Sequence, residues 1–188
     1  SRIGVFVGTS TSGILETELA YRRRDAAGAL PADFRYATTH NTYSVAWFVQ
    51  SYFGLTGPSM AVSTACSSSA KAFGNAARMI AAGLCDAAVV GGVDSLCLTS
   101  LYGFSSLGLL SPVRCRPFDA DRDGISIGEG AGMVLLEKQA DGSTADSIGL
   151  LGVGESSDAY HMSTPHPEGL GARMAMEQAL TNAGLQPG

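Results

Sequence analysis

The stretch "DAAVVGGVDS", residues 86–95, limits what this chain can fold into more than any other. It is a continuous apolar run that reads as a strand, and a strand apolar on both sides needs cover on both faces. Helices supply that cover in a layered α/β domain.

The rest of the chain alternates in the same sense. "RIGVFVGTS" (2–10) is a second buried-strand run ending in small residues, and "GILETELAYRRR" (13–24) has helical spacing through Ile14, Leu15, Glu18 and Leu19. After a loop with Gly28 and Pro31, Asn41 or Thr42 can cap a helix striped by Val45, Phe48, Val49 and Tyr52 and stopped by Gly54. "GPSMAVSTA" (57–65) predicts a short strand, and residues 66–83 a helix carrying Ala70, Phe73, Ala77, Ile80 and Ala81. Residues 125–138 and 147–157 predict two further strands, 139–147 a loop, and 171–185 a helix stopped by Gly184. No internal repeat is visible. The closing "QPG" reads as a turn into another strand, so the chain is expected to be cut rather than finished.

With 188 residues, 45% hydrophobic and 15% charged, the chain can build one well-buried domain. A net charge of −5 argues against nucleic acid, whose binders present broad basic surfaces. The one basic run, Arg22-Arg23-Arg24, is either a solvated helix face or a local site for an anionic partner. No apolar run reaches the roughly 18 residues of a membrane span, and Ser1-Arg2 leads straight into a strand rather than a signal peptide. The four cysteines, Cys66, Cys85, Cys97 and Cys115, lack paired metal spacing, so reduced thiols in a cytoplasmic protein are the expectation.

Cys66 stands in "STACSSSAKAF" (63–73), where the strand hands over to the helix. Free backbone N–H groups and the positive helix end gather at such a handover. They favour thiolate, the nucleophilic form of a cysteine, and can hold an oxyanion when sulfur attacks a carbonyl. The small residues Ala65, Ser67, Ser68 and Ser69 leave room for a substrate. Spacing alone leaves Cys66 open between nucleophile and packing residue.

Other motifs carry less. "DADRDGISIGEG" (119–130) opens like a calcium loop, but its twelfth position is Gly130, with Glu129 one place early, so buried structural hydrogen bonding is the expected role of its charged residues. "GEGAG" (128–132) precedes a strand rather than a helix, which removes a dinucleotide fingerprint and leaves close backbone packing. His161 and His166, in a Pro- and Gly-rich loop, are either solvated loop residues or bases for Cys66. His40 is read as a loop residue ahead of a helix cap. Cys85 and Cys97 are read as small core residues, and Cys115, between Arg114 and Arg116, as a surface thiol without a visible partner.

Four of these stretches, "GPSMAVSTACSSSA", "AAGLCDAAVVGGVDS", "RPFDADRDGISIGEGAGMVLLE" and "GESSDAYHMSTPHPEG", together resemble the β-ketoacyl-acyl carrier protein synthases, the condensing enzymes of fatty acid and polyketide assembly. They cover most of the chain in the family's order. The resemblance implies a thiolase-like layered α/β fold, mixed sheets between helices, incomplete here and normally a homodimer. Residues 1–188 correspond to the central portion of a synthase domain, without its N-terminal start and C-terminal half.

The resemblance makes Cys66 the nucleophile and its backbone N–H one oxyanion donor. In the family that cysteine takes an acyl chain from acyl carrier protein as a thioester. Malonyl-acyl carrier protein then loses CO2, and its carbanion attacks the thioester. No cofactor and no metal is implied. Thr11 falls at the acyl pocket, Phe104 on a pocket wall, and Tyr36 where a neighbouring subunit's pocket residue belongs. Asp158, His161 and Ser163 fall in a mobile loop beside the active site, as gating or malonyl-side residues. The family's two catalytic histidines, its later lysine and its phenylalanine gate lie beyond the region matched. Its basic carrier-docking residues are not evident either, with Arg22, Arg23, Arg24 and Arg35 as the available substitutes. The alternatives are a non-catalytic assembly module of the same family and a cysteine-dependent thioester hydrolase using His161 or His166. Acyl-chain length, and fatty acid against polyketide synthesis, are not legible.

Overall fold

The computed structural model describes residues 2–139, 147–162 and 164–187. They fall into two compact units, Ser1–Lys138 and Gln139–Gly188.

The first unit is built on a four-stranded sheet in the order β2-β1-β3-β4. Strand β1 (Ile3–Gly8) lies between β2 (Ser59–Val62) and β3 (Ala87–Asp94), parallel to both. Strand β4 (Gly130–Glu137) pairs antiparallel with β3, so the sheet is mixed. Successive side chains of β1 point to opposite faces, and each face has its own helix. Val5 and Val7 pack with Ala46, Val45 and Val49 of α3 (Tyr43–Tyr52). Phe6 packs with Val62, Ala88 and Val90 under Ala72 and Ala76 of α4 (Ser68–Ala81). Val5, Phe6, Val7 and Val90 are fully buried, and each such side chain contributes roughly 1.5–3 kcal/mol. The run at 86–95 is buried through Ala88 and Val90 on the face under α4, whereas Val89 and Val93 on its other face are half-buried, short of the cover on both faces that its sequence predicts.

The other helices of this unit are α1 (Ile14–Arg22), α2 (Tyr36–Thr39) and α5 (Leu98–Ser106). The caps follow the expected chemistry in part. Asn41 Oδ1 accepts the Tyr43 N–H at 3.0 Å, while Thr42 makes no capping bond. Gly54 and Gly83 leave their helices in the left-handed region, at φ +61° and +69°. Two helices were not read from the sequence. The single turn α2 is too short to show a period, and α5 is apolar without a clear stripe.

The second unit contains α6 (Leu170–Ala183), closed by Gly184 at φ +67°. The strand expected over 147–157 is absent: those residues form no regular element. The segment is tied to α6 instead. Glu155 N–H donates to Gln178 Oε1 at 2.7 Å, and Asn182 Nδ2 donates to the Val153 carbonyl at 2.8 Å. Of the loop expected at 139–147, only its two end residues are described.

Candidate active site

Strand order decides where the site lies. The chain leaves β1, returns on one side as β2, then crosses to the other side as β3. Crevices open at the carboxyl ends of strands where the order reverses in this way. Here those ends supply Thr11 after β1, Cys66 after β2 and Asp94 closing β3, and all three line one cavity of about 720 Å³.

Cys66 is exposed, two residues ahead of α4. Ala65, just before it, sits at φ +53°, a conformation that costs a residue with a Cβ on the order of 1 kcal/mol. Ser68 holds that turn in place: its hydroxyl donates to the Ala65 carbonyl at 2.6 Å and accepts the Thr64 N–H at 2.8 Å. The Ser67 hydroxyl donates to the Thr64 carbonyl at 2.9 Å. Ser67 and Ser68 are thus staples of the turn, beyond the spacer role expected of them. Gly8 and Gly92 let the start of α4 settle on the sheet. A methyl group at Gly8 would land on the backbone of Ser69, and one at Gly92 within 2.7 Å of Ser69 Cβ.

Thr11 is buried and held by β3. Asp94 Oδ1 accepts the N–H groups of Ser10 and Thr11 at 2.7 and 3.0 Å and the hydroxyls of Thr9 and Thr11 at 3.2 and 3.1 Å. The Thr11 hydroxyl in turn accepts the Ser95 N–H at 2.8 Å. Phe104 lines the cavity from α5, one turn beyond Ser100, on the same helix face. Cys66, Thr11 and Phe104, all assigned through the family resemblance, therefore meet at one cavity. Asp94, Ser95 and Ser100 were not named. The only sequence signal for Asp94 is a carboxylate closing a buried strand.

Tyr36 is not among the cavity-lining residues. It is largely exposed and stacks on His40 at 5.2 Å, and His40 Nδ1 lies 3.0 Å from the Thr17 hydroxyl. The arginines of the basic run are exposed. Arg23 meets Asp33 at 3.4 Å, Arg24 lies over Tyr21, and Arg35 donates to the Ala32 carbonyl at 2.6 Å.

In the second unit, Asp158 Oδ2 accepts the His166 N–H at 3.0 Å and its Oδ1 the Tyr160 N–H at 3.1 Å. Those bonds, that from His166 first, hold its carboxyl below the ordinary value. His161 Nδ1 accepts the Thr164 N–H at 3.2 Å, and His166 Nδ1 accepts the Glu168 N–H at 3.2 Å. Ser163 lies outside the described residues.

The remaining motifs resolve by packing. Cys85 and Cys97 are buried, as expected. The Cys115 thiol is held below its ordinary value chiefly by hydrogen bonding with Ser126, with Arg114 a smaller contribution. Asp119 Oδ1 accepts the Asp121 N–H at 2.8 Å, and Asp123 Oδ1 accepts the Ser111 hydroxyl at 2.7 Å. Those carboxylates are hydrogen-bonded but exposed, where burial was expected, because the loop 112–124 runs over the surface. The glycines of "GEGAG" also correct an expectation. Gly128, Gly130 and Gly132 border the cavity, and a Cβ on any of them would meet nothing within 4 Å. Their missing side chains keep space open rather than admit close packing.

Residues 1–142 match the model of the β-ketoacyl synthase N-terminal domain. The 3-oxoacyl-[acyl-carrier-protein] synthase 2 of Vibrio cholerae is 34% identical over 98% of this chain and 47% of its own length. The enzyme of the same name from Rhizobium meliloti is 43% identical over 70% of this chain. Among solved structures, a ketosynthase in complex with its chain length factor from Xenorhabdus doucetiae is 42% identical, with a TM-score of 0.85 over 100% of this chain and 46% of that one. A type II polyketide ketosynthase in complex with its acyl-carrier protein is 26% identical, also at a TM-score of 0.85, over 99% of this chain and 50% of that one. The chain spans about half the length of these relatives, so its mixed, helix-covered sheet is part of the thiolase-like fold. The cysteine turn, the strand ends that frame it and this extended match place the chain in the β-ketoacyl synthase family.

Proposed function

We propose that this chain carries the acyl-accepting half of a β-ketoacyl-acyl carrier protein synthase site, with Cys66 as nucleophile. The observation that carries the reading is that Cys66, Thr11 and Phe104 line one cavity, with the thiol exposed to it. The Cys66 thiolate attacks the carbonyl carbon of an acyl-carrier thioester. The tetrahedral oxyanion is held at the turn, with the Cys66 N–H as one donor. Its collapse expels the carrier's thiolate and leaves the acyl chain on Cys66. A thiolate both adds to and leaves from such carbonyls readily, which suits sulfur to this exchange. In the whole enzyme, malonyl-acyl carrier protein then loses CO2. The resulting carbanion attacks the Cys66 thioester, lengthening the chain by two carbons and releasing the thiolate.

Thr11 and Phe104 are assigned to the acyl pocket, and Tyr36 to the pocket of a neighbouring subunit in a homodimer. Asp158, His161 and Ser163 are assigned to the malonyl side. Acyl carrier protein is the proposed partner, supported by the relatives' names and by the complex above. The cytoplasm is the proposed location. Among the described residues no helix is long and apolar enough to cross a membrane.

The test is covalent labelling with iodoacetamide and cerulenin, followed by peptide mapping and a malonyl-decarboxylation assay. Labelling at Cys66, lost in Cys66→Ser, is expected. Labelling confined to other cysteines overturns the assignment.

A further inference from the structure

Helix α5 begins without a cap of its own. Its N-cap residue, Cys97, makes no capping hydrogen bond, and the Cys97 thiol donates to the Ser100 hydroxyl at 3.2 Å instead. The cap comes from a different helix. Glu18 on α1 accepts the Leu98 N–H through Oε2 at 2.8 Å. Its Oε1 accepts the Thr99 N–H at 2.8 Å and the Thr99 hydroxyl at 2.5 Å. One carboxylate thus satisfies the first two donors of α5 and places negative charge at the helix's positive end.

Glu18 itself is not among the residues lining the Cys66 cavity. With Arg22, Leu98, Thr99 and Tyr102 it borders a separate small hollow. Yet the helix it holds carries Ser100 and Phe104 into the wall of that cavity. Burial acts to raise the Glu18 pKa, but the bonds from Thr99 and Leu98, with the charge of Arg22, bring its carboxyl below the ordinary value.

We propose that Glu18 is a positioning residue that, by latching the start of α5, fixes the Phe104 wall and thereby the acyl-chain preference at Cys66. The proposal rests on the reading of Cys66 as the acyl acceptor. Without the carboxylate the first turn of α5 loses its cap, and Phe104, a turn and a half further on, loses its fixed distance from the thiol. Small reagents still reach Cys66. Long chains, which must pass the wall, feel the change.

The test compares alkylation rates at Cys66 by iodoacetamide and by N-hexadecyl iodoacetamide, read by peptide mass spectrometry. The proteins are wild type, Glu18→Ala, Glu18→Gln, Thr99→Val and the control Glu16→Ala, an exposed carboxylate on the same helix. The expected result is a threefold or larger change in the long-to-short rate ratio for Glu18→Ala. The iodoacetamide rate should stay within twofold, and Glu16→Ala should behave as wild type. Glu18→Gln keeps one acceptor oxygen and Thr99→Val keeps both backbone bonds, so both should shift the ratio in the same direction by less. They report even if Glu18→Ala fails to fold. Labelling of Cys66 with the ratio unchanged in all three variants overturns the proposal alone. Absence of labelling in wild type overturns the reading of Cys66, and the proposal with it.

Discussion

Two sets of glycines border the Cys66 cavity, and they do opposite things. Gly8, Gly91 and Gly92 are clamped. Gly8 and Gly92 admit the start of α4, and a methyl group at Gly91 would strike the Gly132 carbonyl on β4. Gly128, Gly130 and Gly132 face open space. In the sequence Gly91-Gly92 and the Gly128, Gly130, Gly132 set are both short glycine clusters, and Gly8 ends an apolar strand run. The first set lets backbones meet, whereas the second keeps a volume empty. A glycine's role is therefore set by what lies where its side chain would be, and β3 and β4, though paired residue for residue, differ in that respect.

Substitution across the β3–β4 ladder separates the two roles most sharply. Gly91→Ala should destabilise the protein by about 3 kcal/mol or more, because neither paired backbone can retreat without breaking the ladder. Gly132→Ala should move stability by less than about 0.5 kcal/mol. Urea unfolding of both variants checks this, and equal losses would abolish the distinction. Burial extends the comparison to side chains. Val90 is fully buried on β3, while Leu135 is 57% exposed on β4. Val90→Ala should cost roughly 2 kcal/mol in lost transfer energy and cavity, and Leu135→Ala a few tenths.

The cavity set is tested by filling rather than by clashing. Gly132→Val suits a strand and meets nothing, so Tm should hold. Labelling of Cys66 by a bulky reagent should slow several-fold relative to iodoacetamide. The smallest effect is electrostatic. Glu18's carboxyl lies below its ordinary value, so its stabilisation is complete above the unfolded carboxylate pKa of about 4.3 and fades as pH falls through the native value. Wild type should exceed Glu18→Gln by about 1 kcal/mol at pH 7, and the gap should close toward pH 3. A gap that persists in acid would show that the charge contributes nothing.

Much of the site was legible in the sequence because it is encoded locally. The strand run 57–65, the small residues of "STACSSS" and the helical spacing that follows place Cys66 at a handover before any tertiary contact is known. Thr11 and Phe104 were reached through resemblance, and the structure brings both to the same cavity. The strand expected over 147–157 illustrates the limit. Its apolar residues fit a strand, but a strand exists only with a partner, and here the Glu155 N–H and the Val153 carbonyl bond to Gln178 and Asn182 of α6 instead.

The sequence by itself determined that the chain is a layered α/β protein of the condensing-enzyme type with a cysteine at a strand–helix elbow. Those features depend on periodicity and on short contiguous motifs. Only the tertiary structure decided that Asp94 holds the Thr11 loop through four donors, that Glu18 caps a helix eighty residues away, and which glycines close space and which keep it open. The physical reason is the same in each case. A carboxylate's partners and a glycine's neighbours are set by strand order and register, which bring together residues that no local spacing connects.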